Sequence, residues 1–196
     1  MRLKYFSFLL FFFSLASTLS AIRETPLGPL RISADETISK NSGREFEAKG
    51  NVWIAYELES KDVLESYSDF ARFNETTKCG ELLGDPRAVW KRNNPPQPSI
   101  TLKADRILFE IPNEELSAYG NVFVYQANST LNANEVHFSN LEKKLSASGG
   151  RPEFHITAPE HKTEISANEI QAWTDKKTIH FTGKVSGVVL LTEAQP

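Results

Sequence analysis

The sequence is poor in cysteine, which excludes intrachain disulfide bonds as a source of stability. Cys79 is the only cysteine among 196 residues, so no disulfide can form within the chain and stability has to come from packing. Basic residues are too few for a nucleic-acid-binding protein, since 22 lysines and arginines stand against 25 acidic residues. The four histidines never take the spacing of a metal-binding motif, and no phosphate-binding glycine loop occurs. We therefore predict no catalytic site, no metal and no cofactor.

A long hydrophobic run occurs only once, near the N-terminus. Arg2 and Lys4 precede an apolar stretch that extends to about Leu19, and small residues follow it up to Ala21. This order is typical of a secretory signal peptide, although an uncleaved membrane anchor is the alternative. We predict that residues 1–21 are a signal peptide and that 22–196 form a single domain. The net charge of −3 then becomes −5, because the removed segment holds two basic residues and no acidic one.

A repeat dominates the rest of the chain. The phrase Ala-x-Gly-Asn-Val occurs at Ala48 and again at Ala118, and it belongs to a longer unit. In each of four units an alanine is followed by a glycine at one constant spacing; the pairs are Ala34 and Gly50, Ala104 and Gly120, Ala133 and Gly149, and Ala167 and Gly183. Turn-forming residues lie between the two halves of each unit. Each unit therefore predicts a β-hairpin whose second strand bends at its glycine.

An Asp or Asn follows the alanine of every unit, at Asp35, Asp105, Asn134 and Asn168. A catalytic carboxylate is normally unique, so a residue that recurs once per unit is better explained by a structural role at the bend.

Apolar residues of the units alternate along the predicted strands and share one parity. Because successive side chains of a strand point to opposite faces, they are expected to line one apolar channel. The predicted channel residues are Ile32, Phe46, Val52, Ile54, Leu116, Val122, Val124, Ile179, Phe181 and Val185. Aromatic residues of the opposite parity, such as Phe123 and Tyr125, predict either cross-strand pairs or a second apolar surface.

One segment departs from the regular spacing of the repeat. The first two alanines, Ala34 and Ala104, lie about twice as far apart in sequence as the alanines of the later units, so residues 57–98 are predicted to be an insertion. Apolar residues recur within it at steps of three and four, from Val63 to Phe73, which favours an amphipathic helix. Such a helix could cover one end of the sheet or act as a lid.

Three of the units resemble a known family. The segments "LKADRILFEIPNEELSAYGNVFVY" at Leu102–Tyr125, "LNANEVHFSNLEKKLSASGGRPEFHI" at Leu131–Ile156 and "ISANEIQAWTDKKTIHFTGKV" at Ile165–Val185 are similar to OstA-like, or LptA-type, proteins of lipopolysaccharide transport. The resemblance implies an all-β fold, an open and bent antiparallel β-jelly roll whose apolar groove holds lipid A acyl chains. It implies a periplasmic, non-enzymatic protein that carries or bridges lipopolysaccharide from the inner to the outer membrane.

The resemblance also implies partners. They are lipopolysaccharide, other jelly-roll components of the LptC type and LptD type, and other copies of this chain. Exposed strand edges are expected to make these contacts, with Leu30–Ala34 and Val185–Thr192 as candidate edges. Two alternatives stay open: an inner-membrane-anchored LptC-type partner of the same machine, and a non-transport cell-envelope β-sandwich binding protein, whose inner face would be a sealed core.

Overall fold

Sixteen β-strands lie in the part of the chain that the computed structural model describes, which is residues 30–57, 61–92 and 98–191. Every pairing between them is antiparallel. The strands are β1 Arg31–Ser33, β2 Glu36–Lys40, β3 Glu45–Glu57, β4 Val63–Asn74, β5 Cys79–Leu83, β6 Arg87–Lys91, β7 Ile100–Lys103, β8 Arg106–Glu110, β9 Glu115–Gln126, β10 Ser129–Ser139, β11 Lys144–Ser148, β12 Glu153–Thr157, β13 His161–Ser166, β14 Glu169–Trp173, β15 Thr178–Thr182 and β16 Ser186–Leu191. A short 3₁₀ turn, Asn41–Gly43, joins β2 to β3.

The strands form ten consecutive passes of an antiparallel meander, each bent near its middle. Four passes are single long strands, β3, β4, β9 and β10. The other six are pairs of short strands that are interrupted at the bend, for example β5 with β6 and β7 with β8. Neighbouring passes pair on both sides of the bend, so the chain never has to cross over itself.

The bend divides the meander into two sheets that share the long strands. Sheet one has the order β2-β3-β4-β5-β8-β9-β10-β11-β14-β15, and sheet two has the order β1-β3-β4-β6-β7-β9-β10-β12-β13-β16. The sheets face each other, because Trp90 of sheet two meets Phe138 of sheet one with ring centroids 4.8 Å apart. Phe154 and Phe181 meet in the same way at 5.9 Å. The predicted all-β, open and bent antiparallel jelly roll is thus confirmed.

An Asp or Asn and a glycine make the bend in each hairpin. The backbone amide of Asp35 donates to the carbonyl of Gly50 at 2.9 Å, and Asp105 does the same to Gly120 at 2.9 Å. Each of these glycines has a positive φ, and a Cβ added there would collide with the acidic side chain above it. The Asp and Asn residues therefore have the structural role that their repetition predicted.

The segment predicted to be an insertion continues this repeat, and the predicted helix is wrong. Val63–Asn74 is strand β4, which pairs with β3 along its length. The amide of Asp69 donates to the carbonyl of Gly84 at 3.1 Å, as in the other bends. Asp69 and Gly84 have the same separation in sequence as Asp35 and Gly50. This fifth unit was hidden because Ser68 stands where the other units have alanine.

The interior is a wedge that widens away from the bend. Nearest the bend, sheet one presents a row of cross-strand neighbours that contains four alanines and no aromatic residue: Ala48, Ala71, Leu82, Ile107, Ala118, Val136, Ala147 and Ile170, all buried. The next row outward holds larger side chains, among them Phe46, Phe73, Phe109, Leu116, Phe138 and Leu145. Small side chains let the sheets converge at the bend, and large ones fill the space where they diverge.

Candidate functional site

An apolar cavity of about 90 Å³ lies between the two sheets. Sheet two contributes side chains from β3, β4, β6, β7 and β9, and sheet one contributes side chains from β8, β9, β10 and β11. The apolar lining includes Ile54, Leu64, Trp90, Ile100, Leu102, Phe109, Leu116, Val124, Phe138 and Leu145. A cavity of this composition can hold hydrocarbon and offers few groups for polar recognition.

The contact between Trp90 and Phe138 limits the size of this cavity. Trp90 is held from outside, since its Nε1 donates to Oδ2 of Asp62 at 3.1 Å and the Arg92 guanidinium lies 4.9 Å from its ring centre. In a comparable apolar core, a cavity of about 150 Å³ binds benzene. The cavity is smaller than that, and the rings of Trp90 and Phe138 are in contact beside it.

Carboxylates lie at the sheet-one rim of the cavity. Glu110, Glu114 and Glu115 all line it, and they come from the end of β8, the following turn and the start of β9. Nδ2 of Asn113 donates to Glu110 at 3.1 Å, and the buried Asn140 side chain donates to Glu114. These bonds hold the acidic groups at the rim, where they disfavour an anionic group close to the mouth.

Nine of the ten predicted channel residues lie in the interior. Val52, Ile54, Leu116, Val122 and Val124 are buried in the core, and Ile32, Phe46, Ile179 and Phe181 are partly buried against it. Three of them, Ile54, Leu116 and Val124, line the cavity itself. Whether they contact lipid stays a prediction.

Val185 does not belong to this set. It lies in the segment between β15 and β16 and is 53% exposed, so it is not part of the buried interior. The same bend precedes Val52 and Val122, which are buried, so Val185 is exposed because β15 and β16 form the last described pass and no described strand packs beyond them.

Several cavity residues were missed by sequence reasoning because they belong to the fifth unit. Leu64, Ala88 and Trp90 come from β4 and β6, within the segment interpreted as an insertion. The spacing of Asp69 and Gly84 is the signal that could have revealed them.

No charged residue stands in four inward-facing rows of the described strands, two in each sheet. In sheet two the rows are Ile32, Ile54, Ser66, Ala88, Leu102, Val124, Leu131, Phe154, Ile165 and Gly187, and Tyr56, Leu64, Trp90, Ile100, Gln126, Ser129, Ile156, Thr163 and Val189. In sheet one the rows are Thr37, Ala48, Ala71, Leu82, Ile107, Ala118, Val136, Ala147, Ile170 and Phe181, and Ser39, Phe46, Phe73, Gly80, Phe109, Leu116, Phe138, Leu145, Ala172 and Ile179. The uncharged surface extends from one end of the meander to the other.

The meander has unpaired edges at both ends. At the first end, β1 and β2 each pair only with β3 among the described residues. At the second end, within the described ranges, β15 pairs only with β14, and β16 pairs only with β13. Strand β16 is exposed along its whole length, with Leu191 84% exposed. Of the candidate edge Val185–Thr192, Thr192 lies outside the described residues.

The outer face carries aromatic residues with two kinds of neighbours. Trp53 stands opposite Tyr67 in a cross-strand pair, and the Arg87 guanidinium lies 4.5 Å from the ring centre of Tyr67. Phe123 and Tyr125 of β9 stand opposite polar residues and are 37% and 45% exposed. The first pair agrees with the predicted cross-strand packing, whereas the two β9 residues leave apolar surface open to solvent.

Residues 30–57, 61–92 and 98–191 hold neither a metal-binding cluster nor a membrane-spanning helix. No group of three or more metal-ligating side chains comes together there. Nor do those residues contain a helix of the length and hydrophobicity needed to cross a bilayer.

The fold and its interior define an open antiparallel β-jelly roll with an uncharged, apolar inside and unpaired strand edges at both ends. No protein-family model matches the sequence, and no match is found among curated proteins. Among solved structures, the chain is similar to LptH, the LptA-homologous periplasmic component of the lipopolysaccharide transport device of Pseudomonas aeruginosa. The identity is 9%, the match covers 86% of this chain and 99% of LptH, and the TM-score is 0.48. A likeness of this size does not carry function from LptH to this chain.

Proposed function

We propose that the protein is a periplasmic lipopolysaccharide-binding transport protein, which carries or bridges lipopolysaccharide between the inner and outer membranes. The observation that carries this proposal is the uncharged interior, which runs through all ten passes and holds an apolar cavity. The sequence phrases similar to OstA-like proteins support the same function. No nucleotide, metal or catalytic group is required for it.

The interior suits acyl chains on energetic grounds. Each methylene group that leaves water for an apolar surface contributes about 0.8 kcal/mol, so a long chain would be held firmly without any specific polar contact. Entry would require separation of Trp90 and Phe138, whose rings are in contact across the wedge. We place the lipid head group outside the wedge, because Glu110, Glu114 and Glu115 would repel a phosphate at the mouth.

The strand edges would connect the protein to its partners. An unpaired edge presents a row of backbone amides and carbonyls, to which a strand of a neighbouring chain can add. With one pair of edges at each end, jelly rolls joined in this way would align their interiors. We propose LptC-type and LptD-type components and further copies of this chain as the partners.

Export to the periplasm rests on residues 1–21, which lie outside the described part of the chain. N-terminal sequencing of the protein from cells distinguishes the two forms. A chain that begins near residue 22 supports the carrier, whereas a membrane-bound chain that retains Met1 or Arg2 supports the anchored LptC-type alternative.

Photo-crosslinking tests the channel directly. Crosslinkers at Leu116 and Val124, which line the cavity, should capture lipopolysaccharide in cells. A crosslinker at Leu141, which is 64% exposed in the turn after β10, is the matched control and should not. Equal capture at all three positions, or capture at none, would contradict a lipid channel and favour a β-sandwich with a sealed core.

A further inference from the structure

Ser66 is a polar residue in an otherwise apolar part of the cavity wall. It lies on β4 between the cross-strand neighbours Ile54 and Ala88, and it is only 6% exposed. All three residues line the cavity. An alanine would pack equally well at this position, since Ala88 fills the equivalent position on the next strand.

The hydroxyl of Ser66 has no hydrogen-bond partner among the residues that the structure describes. The contrast with Ser68 is direct, because that residue is 8% exposed on the same strand and its Oγ donates to the carbonyl oxygen of Phe70 at 3.0 Å. A buried hydroxyl without a partner is costly, and most buried polar groups in proteins are paired.

A trapped water is a poor partner for Ser66. An ordered buried water generally makes two to four hydrogen bonds to polar groups. The cross-strand neighbours of Ser66 are apolar, and the other polar side chains of the cavity, including Glu110, Glu115 and Asn140, come from the facing sheet-one rim. The hydroxyl is therefore available to a ligand that enters the interior.

The position of Ser66 along the strand indicates where the ligand's polar group lies. Leu64 belongs to the outer row with Trp90, and Ser66 is two residues further inward, about 7 Å at the usual rise of a strand. A head group held at the mouth would place its ester or amide carbonyl between the outer row and Ser66. A hydroxyl on the first few carbons beyond that carbonyl would lie beside Ser66.

We infer that Ser66 is a specificity-determining residue, which hydrogen-bonds a hydroxyl group near the head of a bound acyl chain. The inference rests on the proposed function, since it requires an acyl chain in the interior. Ser66 would distinguish hydroxylated from plain acyl chains, because a plain chain leaves its buried hydroxyl unpaired. Hydroxyl groups both donate and accept hydrogen bonds, so Ser66 can donate a hydrogen bond to the ligand's hydroxyl or accept one from it.

Two uncharged amphiphiles that differ by one oxygen test this inference. Myristoyl ethanolamide and 3-hydroxymyristoyl ethanolamide avoid the repulsion of the acidic rim, and their affinities for the mature protein can be measured by displacement of an apolar fluorescent probe. The wild-type protein should bind the hydroxylated chain about three- to tenfold more tightly, the range of one net hydrogen bond. Ser66→Ala should abolish this preference, and Ser68→Ala should retain it.

The thermal unfolding of the unliganded proteins provides a second readout. Ser66→Ala should leave the melting temperature unchanged or raise it, because the substitution removes an unpaired buried group. Ser68→Ala should lower it, because that hydroxyl is bonded.

The outcomes separate this inference from the proposed function. Binding of both chains without preference by the wild-type protein, or a preference that survives in Ser66→Ala, would overturn the role of Ser66 and leave lipid binding intact. Binding of neither chain by the wild-type protein would overturn both.

Discussion

The carboxylate of Asp105 accepts a hydrogen bond from Nδ2 of Asn121 at 2.9 Å, and Gly120 lies beneath that contact with φ +73°. Asp35 and Asn51 make the same bond at 2.8 Å above Gly50. A backbone bond joins each acid to its glycine as well. The two bonds fix the angle at which a strand leaves sheet one and enters sheet two, and so they set the width of the wedge.

Gly120→Ala should therefore destabilise the protein by about 2–3 kcal/mol. The left-handed conformation costs an alanine about 1–2 kcal/mol, and its Cβ would also collide with the Asp105 carboxylate. Urea unfolding at neutral pH measures the loss. Gly43→Ala is the control, since Gly43 has φ +89° but its nearest neighbour would lie 4.0 Å from the new Cβ. Equal losses at both glycines would show that the collision with Asp105 contributes nothing.

The stability of the protein should depend on pH through Glu81. Hydrogen bonds from Arg72 and Arg106, the latter at 2.6 Å, hold the pKa of the Glu81 carboxyl below its ordinary value of 4.5. A depressed pKa adds stability that is fully present above the ordinary value and is lost as pH falls through the folded-state pKa.

Glu81→Gln should accordingly lower the free energy of unfolding by about 1–2 kcal/mol at pH 7. This range allows for the partial exposure of the two arginines. The difference from wild type should shrink below pH 4.5 and vanish once Glu81 is protonated in the folded state. Denaturant unfolding at a series of pH values gives the curve. Glu36→Gln is the control, since Glu36 is exposed and has no ion pair among the described residues. This substitution should change the free energy of unfolding little at any pH. A pH-independent loss in Glu81→Gln would contradict the ionic origin.

Phe138→Ala should open the interior. The substitution removes the ring that meets Trp90 across the wedge and enlarges the cavity that both residues line. We expect a loss of about 2–4 kcal/mol in unfolding free energy, somewhat below the usual range because Phe138 is half-buried. Binding of an apolar fluorescent dye should increase at the same time. Leu141→Ala is the control, since Leu141 is 64% exposed in the following turn. Unchanged dye binding in Phe138→Ala would show that the aromatic contact does not limit entry.

Lysine on the exposed edge strand should weaken association between copies. Val188 and Leu190 of β16 are 55% and 57% exposed, and lysine on an edge opposes the addition of another strand. The double variant Val188→Lys with Leu190→Lys should stay folded but lose concentration-dependent assembly in sedimentation velocity. Leu141→Lys places the same charge on an exposed leucine away from the edges. If it abolishes assembly equally, charge alone is responsible and the edge has no special role.

The sequence by itself determined the repeating hairpin, the bend and most of the interior. Strand periodicity and bend-forming residues are local properties, so they can be recognised from spacing alone. Phe46, Leu116 and Ile179 occur at one fixed distance after an alanine, and all three lie in the interior as predicted. The Asp or Asn of each unit was recognised as structural for the same reason.

The tertiary structure decided whether the segment around β4 is a helix or a strand. Leu64 and Ser66 face the interior before the bend, and Ala71 and Phe73 face it afterwards, so the inward parity changes within one strand. The register shift between β3 and β4 causes this change, as a β-bulge does. Outward-facing aromatic residues lie between these inward-facing positions. The apolar residues of the segment therefore recur every three or four positions, as they would in an amphipathic helix.

Only the tertiary structure could place Val185 outside the interior and Ser66 inside it. Both placements follow from strands that are distant in sequence: Ser66 sits between Ile54 and Ala88, whereas β15 and β16, which flank Val185, have no further described strand beside them. Local patterns give the two faces of a strand, but which face is covered depends on whether another strand or sheet packs against it. The covering of a face is a property of the assembled wedge, so it cannot be predicted from a short stretch of sequence.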